Sequence, residues 1–326
     1  MSVRKLADGP RVLSRLVPSE RVREHQEGAR FGGMAKPAHL LVGRVLGFWR
    51  MNAGSDPAGF KAFEAEGWTR KAATYDRLTG RTTARLVEPL LDAAGVQSGS
   101  RLLDVACGPG RCAGAGAARG AVSLGVDAAE GMVAVARARY PEIEFRRADA
   151  ERLPFADASF DAVVAGFVIN HLPRPEGALA EFVRVLRPGG RVAVTVWDRP
   201  ERMRLLGVLA EAVERTEGVR DPGLPSGGPD AFRFADEAAF AALLSGAGLD
   251  AVQVRSIGFE ERVADTGELW DGMLAGSVRT AAVIERQSKE VRRRIRAELE
   301  DVVAPYRSDD GITLPVSAKL ASGRRP

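Results

Sequence analysis

The chain has 326 residues, 45% apolar and 28% charged, enough for one large α/β domain or two small ones, with the make-up of a soluble globular protein. Its longest apolar candidate, LLVGRVLGFW at 40–49, is broken by Arg44 and falls short of the roughly 20 residues a membrane helix needs, and the N-terminus carries no secretory signal; the expectation is a cytoplasmic protein without membrane partners. The net charge of +4 is uneven, since residues 1–50 carry ten Lys/Arg against four Asp/Glu and the remainder carries 37 against 39, which excludes a nucleic-acid field over the main domain. Residues 1–50 read as a basic N-terminal extension, either a flexible arm or an over-long start, and the domain proper is expected at 51–326. Cys107 and Cys112 fit neither a CxxC redox motif nor a zinc pair and read as small loop residues in a reducing compartment.

From about residue 82 the sequence alternates strand and helix. Thr82 or Thr83 is expected to cap a helix through ARLVEPLLDAAG, with Leu86, Leu90 and Leu91 on one face. RLLDVA (101–106) is a short apolar strand, followed by a small-residue loop and a helix. VSLGVD (122–127) predicts a second strand, IEFRRA (143–148) a third, and FDAVVAGFV (160–168) a fourth, whose continuous apolar run implies burial on both faces. EGALAEFVRVL (176–186) predicts a helix stopped by Pro188-Gly189-Gly190, and RVAVTVW (191–197) a fifth strand. This alternation implies a doubly wound parallel α/β sheet over a core of 82–200. Further on, helices are expected at about 201–216, after Asp236, at 266–275 and at 279–304, with DPGLPSGGPD (221–230) as a loop. DAVQVRSIGFEERV predicts a strand, and GITLPVSAKLASG a last edge strand. Segments 201–230 and 260–310 are expected to form a cap over the pocket.

The loop after the first strand narrows the ligand. Small residues there let a ligand press against bare backbone. A dinucleotide site needs GxGxxG, but Ala106, Gly108 and Arg111 hold the three positions, and no GK[ST] phosphate loop is present. Asp104 would repel a pyrophosphate and attract an ammonium group. S-adenosylmethionine carries an ammonium, a sulfonium and no phosphate, so the loop suits it better than NAD or ATP. Asp127, at the end of the second strand, is placed to accept from ribose hydroxyls, and Asp149, after the third, from the adenine amine.

LLDVACGPG, VSLGVDAAEGMV, ADAERLPFADASFDAVVAGFVINHLPRPEGAL and RVLRPGGRVAVTVW together resemble the class I S-adenosylmethionine-dependent methyltransferases, in particular the small-molecule branch that holds the ubiquinone and menaquinone enzymes. The resemblance implies a Rossmann-like sheet of seven strands with the last antiparallel. It implies that Ala106, Gly108 and Gly110 line the methionine part, Asp127 with Ala128 and Met132 the ribose side, and Asp149 with Ala150 the adenine. It further places Gly166 and Phe167 beneath the sulfonium and Tyr75 as a cap over the site. Ala106 stands where the family has its first loop glycine.

Methyl transfer from a sulfonium requires alignment, exclusion of water and, for some acceptors, a base, but no metal cluster. An Asp/Asn-Pro-Pro-aromatic run and a Pro-Cys nucleophile are both missing, so a small-molecule acceptor, through C, N or O, is expected rather than nucleic acid. A short-chain dehydrogenase is excluded, because Tyr75, Tyr140 and Tyr306 are followed four residues on by Thr79, Glu144 and Asp310 rather than Lys. A non-catalytic S-adenosylmethionine-binding regulator is the alternative. His171, in FVINHLPRP after the fourth strand, is the one histidine outside the extension and the candidate general base; pocket wall and helix-start hydrogen bonding are its other readings. Monomer and homodimer both remain open.

Overall fold

The segments expected as strands at 101–106, 122–127, 143–148, 160–168 and 191–197 become neighbouring strands of one sheet in the computed structural model, which describes residues 56–220, 223–225 and 228–326. The extension expected at 1–50 lies outside the described residues. Strands β1 (Arg101–Val105), β2 (Val122–Asp127), β3 (Glu144–Arg147), β4 (Phe160–Gly166) and β5 (Leu186–Trp197) run parallel, and β8 (Gly311–Arg324) runs antiparallel to both β5 and β6 (Asp250–Val263). The order is β3-β2-β1-β4-β5-β8-β6, with the two-residue β7 (Arg307–Ser308) paired to β8 as an eighth strand. Chain direction across the sheet reverses between β1 and β4, the point at which such sheets open a crevice at their carboxyl ends.

Side chains alternate faces along a strand, and the core follows that period. Leu103, Val105 and Val163 pack with Leu179, Phe182 and Phe240 on one face; Leu102, Ala162 and Val164 pack with Leu90, Leu91 and Ala193 on the other. The first face is covered by α6 (Pro175–Val185) and α8 (Glu237–Gly246), and the second by α3 (Val87–Ala93). Helices α4 (Arg111–Ala118) and α5 (Glu130–Arg139) follow β1 and β2, and α1 (Pro57–Lys71) packs on α5. A third cluster joins α7 (Arg204–Arg215), α9 (Thr266–Ala275), α10 (Arg279–Glu285) and α11 (Lys289–Val303) around Val208, Leu209, Leu269, Ile284 and Ile295. No helix among the described residues is long and apolar enough to cross a membrane.

Four local expectations change. GITLPVSAKLASG is no edge strand: β8 is inserted between β5 and β6, and Ile312, Leu314, Val316 and Ala318 are fully or almost fully buried, while the half-wet β6 takes the edge. The helix expected after Thr82 is two, α2 (Thr79–Ala84) and α3. Pro89 has no N–H to give the carbonyl of Arg85, and its ring crowds that carbonyl. Thr82 caps neither helix; its hydroxyl bonds Leu78 O at 3.1 Å and Glu261 Oε2 at 3.0 Å. The helix expected at 279–304 breaks at Ser288, whose Oγ accepts from Val291 N at 3.2 Å and caps α11. Helix α1 carries no amphipathic signal because its buried stripe is Phe60, Glu64 and Gly67, of which only Phe60 is large and apolar.

Candidate active site

The loop after β1 is built from backbone that few residues tolerate. Ala106 (φ 55°), Gly108 (φ 51°) and Gly110 (φ 83°) are left-handed, a conformation that costs a non-glycine residue about 1 kcal/mol or more. Two aspartates hold it there. Asp127 ends β2 and accepts from Gly108 N at 2.9 Å through Oδ2 and from Ala129 N at 2.8 Å through Oδ1. Asp104, in β1, lies under the loop and accepts from Ala113 N at 3.0 Å, in the first turn of α4, where the helix dipole favours a negative charge.

A cavity of about 160 Å³ opens above this loop, at the carboxyl ends of β1, β2 and β4. Tyr75, Ala106, Gly108, Asp127, Ala128, Met132, Asp149, Ala150, Gly166, Phe167 and His171 all line it. A side cavity of about 60 Å³ shares Tyr75, Ala106, Gly108, Gly166 and Phe167 with it, and adds Asp104 and Arg111. Asp104 therefore borders only the smaller space. Gly110 borders neither: a Cβ on it would meet the Phe145 ring at 2.8 Å, so this glycine serves close packing beneath the loop. At Gly108 a Cβ would meet nothing within 4 Å, because that side of the backbone faces open space.

The cap differs from the expected one. No described residue of 201–230 or 260–310 lines the larger cavity; Lys61, Glu64, Ala65 and Trp68 of α1, with Thr79 and Thr83, do so. The later helices instead bury their apolar faces in their own cluster, against which Phe167 packs and to which Trp197 belongs. Phe167 (φ 57°) stacks on Trp197 with ring centroids 3.9 Å apart, and Trp68 meets Tyr75 and His171 edge-on at 5.9 and 5.8 Å. The four α1 residues escape the sequence reading, although the signal for their helix is local. Asp56-Pro57 is a helix start, and Asp56 Oδ1 accepts from Gly59 N at 2.8 Å.

Charge in the site is unbalanced. Burial pushes the Asp104 carboxyl up to about 7 against the bond from Ala113, with the Asp127 charge adding to it. Burial raises Asp127 as well, against three amide bonds. Among the described residues no cationic side chain pairs with either. Asp149 differs, being ion-paired with Lys61 and accepting from Glu151 N at 3.0 Å. Burial pushes the Tyr75 phenol up to about 12, so it stays neutral; its hydroxyl lies 3.3 Å from Thr83 Oγ1. His171 closes the short 3₁₀ turn Ile169–His171 after β4, with Nδ1 2.9 Å from Glu64 Oε2.

The buried Asp104 has a thermodynamic signature. Its folded-state value near 7 lies above the unfolded value near 3.9. Its contribution to stability is thus complete below about pH 4 and is lost as pH rises through 7. An asparagine side chain cannot ionise, so Asp104→Asn gains on the wild type by roughly 3 kcal/mol between pH 5 and 8, at about 1.4 kcal/mol per pH unit. Urea titrations of both proteins at the two pH values check this; an unchanged difference refutes it.

A methyltransferase-domain family model matches residues 103–194, from within β1 into β5. The chain is 31% identical over 201 residues to the demethylmenaquinone methyltransferase of Streptomyces griseus, covering 57% of this chain and 86% of that protein. The chain belongs to the class I S-adenosylmethionine-dependent methyltransferases. It is also 40% identical over 127 residues to the demethylmenaquinone methyltransferase of Renibacterium salmoninarum, covering 39% of this chain and 54% of the relative. The chain spans about half the length of several such curated relatives. Among solved structures, the YcgJ protein of Bacillus subtilis shares the fold at a TM-score of 0.50 and 21% identity, over 74% of this chain and 98% of that one.

Proposed function

We propose that the protein transfers the methyl group of S-adenosylmethionine to a small aromatic or otherwise planar acceptor that loses a proton on methylation. One observation carries this reading. The cavity at the sheet's reversal point is lined by the loop backbone and Asp127 together with an aromatic wall and His171.

The residues present fit the cofactor. Asp104 and Asp127 are buried carboxylates without a cationic side-chain partner among the described residues, and their raised values record the cost of that state. A ligand bearing an ammonium and a sulfonium relieves it. Asp127 would hold the ribose, Asp149 and Ala150 the adenine end, and the bare backbone at Ala106 and Gly108 the methionine end. When bound, S-adenosylmethionine supplies an already activated methyl group for in-line displacement. The protein's work is then alignment and desolvation, which Trp68, Tyr75, Phe167 and Trp197 perform as apolar walls. His171 takes the proton that the acceptor's O–H, N–H or acidic C–H gives up.

Nothing among the described residues favours the non-catalytic alternative. The test is formation of S-adenosylhomocysteine together with a product heavier by one methylene. Since several relatives are named demethylmenaquinone methyltransferases, demethylmenaquinone in oxidised and reduced form is the first acceptor, followed by phenols and aromatic amines. Product with any of them supports the reading. Tight S-adenosylmethionine binding without product across the whole panel would overturn it in favour of the regulator.

A further inference from the structure

Glu64 is a carboxylate that the sheet's chemistry does not require. It sits on α1, 8% exposed at the side chain, and accepts from Trp68 Nε1 at 2.9 Å one turn along the same helix. Its Oε2 also lies 2.9 Å from Nδ1 of His171, 107 residues away. Oε1 lies 3.5 Å from Nε of Arg279, which is itself buried and comes from α10. Burial pushes the Glu64 carboxyl up, but His171, Arg279 and the bond from Trp68 act the other way, and the group is held below its ordinary range. Glu64 is therefore a carboxylate at neutral pH, and a carboxylate only accepts hydrogen bonds.

That decides the histidine tautomer. With a lone pair on Nδ1, two acceptors would face one another at 2.9 Å. With the proton on Nδ1, the contact is a charge-assisted hydrogen bond. Arg279 Nη2, at 3.4 Å from the same Nδ1, is the competing donor, but it is farther away, and the same guanidinium bonds Pro229 O at 2.8 Å through Nη1. The turn that carries His171 is held from a further side. Arg233 donates to the carbonyls of Ile169 and Leu172, and Trp68 fixes the ring edge-on. Glu64 and Arg279 face this ring, Arg233 holds the turn that carries it, and the Lys61–Asp149 pair lines the same cavity.

We propose that Glu64 is a positioning residue for His171: the carboxylate keeps the imidazole proton on Nδ1, so that Nε2 is the ring's proton acceptor at the cavity wall. Helix α1 thereby contributes more than a lid, because it carries the group that sets the base. The same carboxylate steadies the ring when Nε2 has taken up the acceptor's proton. For the use made of Nε2, this inference rests on the methyltransferase reading above.

The test is direct. In the full ¹⁵N-labelled chain, with the pH raised until the His171 ring signals no longer shift, long-range ¹H–¹⁵N correlations report which ring nitrogen is protonated. His171→Gln identifies the peaks of His171 among the three histidines. The expected result is an Nδ1–H ring in the wild type. In Glu64→Ala the nearest polar neighbour becomes Arg279, an obligatory donor, and the ring is expected to change to Nε2–H. An Nε2–H ring in the wild type overturns the proposal, as does an Nδ1–H ring that persists in Glu64→Ala. The wild-type measurement stays decisive if that variant does not fold. An Nδ1–H wild-type ring with no methylated product in the acceptor panel overturns the catalytic reading and leaves the positioning intact.

Discussion

Replacing Asp127 by alanine lowers the affinity for S-adenosylmethionine by at least tenfold. Two losses combine in that variant. The ribose hydroxyls lose a charged acceptor, and hydrogen bonds to charged groups contribute about 1.5–3 kcal/mol each. The loop also loses its tether, since Gly108 N and Ala129 N both donate to this carboxylate at 2.9 and 2.8 Å. Gly108 and Ala106 are held left-handed beside it, so freeing the loop lets that backbone relax out of shape. A tenfold change corresponds to about 1.4 kcal/mol, within reach of the lost ribose bonds alone. Isothermal titration calorimetry of wild type and Asp127→Ala measures it, with Asp127→Asn, which keeps one accepting oxygen, expected between them. Equal affinity in all three refutes the ribose assignment.

His171→Gln is expected to lower kcat by roughly 10²-fold, the lower end of what a positioned general base contributes. Glutamine fills a similar volume and can still bond to Glu64, but it has no nitrogen that takes up a proton at neutral pH. The acid limb of the kcat/KM–pH profile is expected to vanish with it, because a general base must be free of its proton to accept one. Cofactor affinity is expected to stay within a fewfold, as the assigned cofactor contacts lie on Asp127, Asp149 and the loop. Turnover close to wild type with the limb retained would exclude His171 as the base and leave alignment as the main source of catalysis.

Much of the architecture was legible because its causes are local. Leu102 and Leu103 face opposite sides of β1, and both are fully buried, so the strand has to be an apolar run rather than an alternation. ACGPG has to be small because Gly110 abuts Phe145 and Gly108 needs a positive φ. Strand-end aspartates at 104, 127 and 149 fall at the carboxyl edge because parallel strands joined by crossovers all point one way. The break before Pro89 was not read from the sequence, although its cause, a missing N–H, is local. Other features carry no local mark. Ala106 and Phe167 adopt left-handed backbone without being glycine, which only surrounding packing can enforce.

The sequence by itself determined the sheet, the loop and the three aspartates, since strand period, turn chemistry and charge are properties of a few consecutive residues. Tertiary structure decided the rest of the site. That β8 enters between β5 and β6 follows from which buried faces meet. That Glu64 and Trp68 reach His171 follows from α1 docking on α5 and, through Gly67, against Val278. Such pairings join residues from separate elements far apart in the sequence, and no pattern within either segment encodes the partner, because an apolar stripe specifies burial but not what it is buried against.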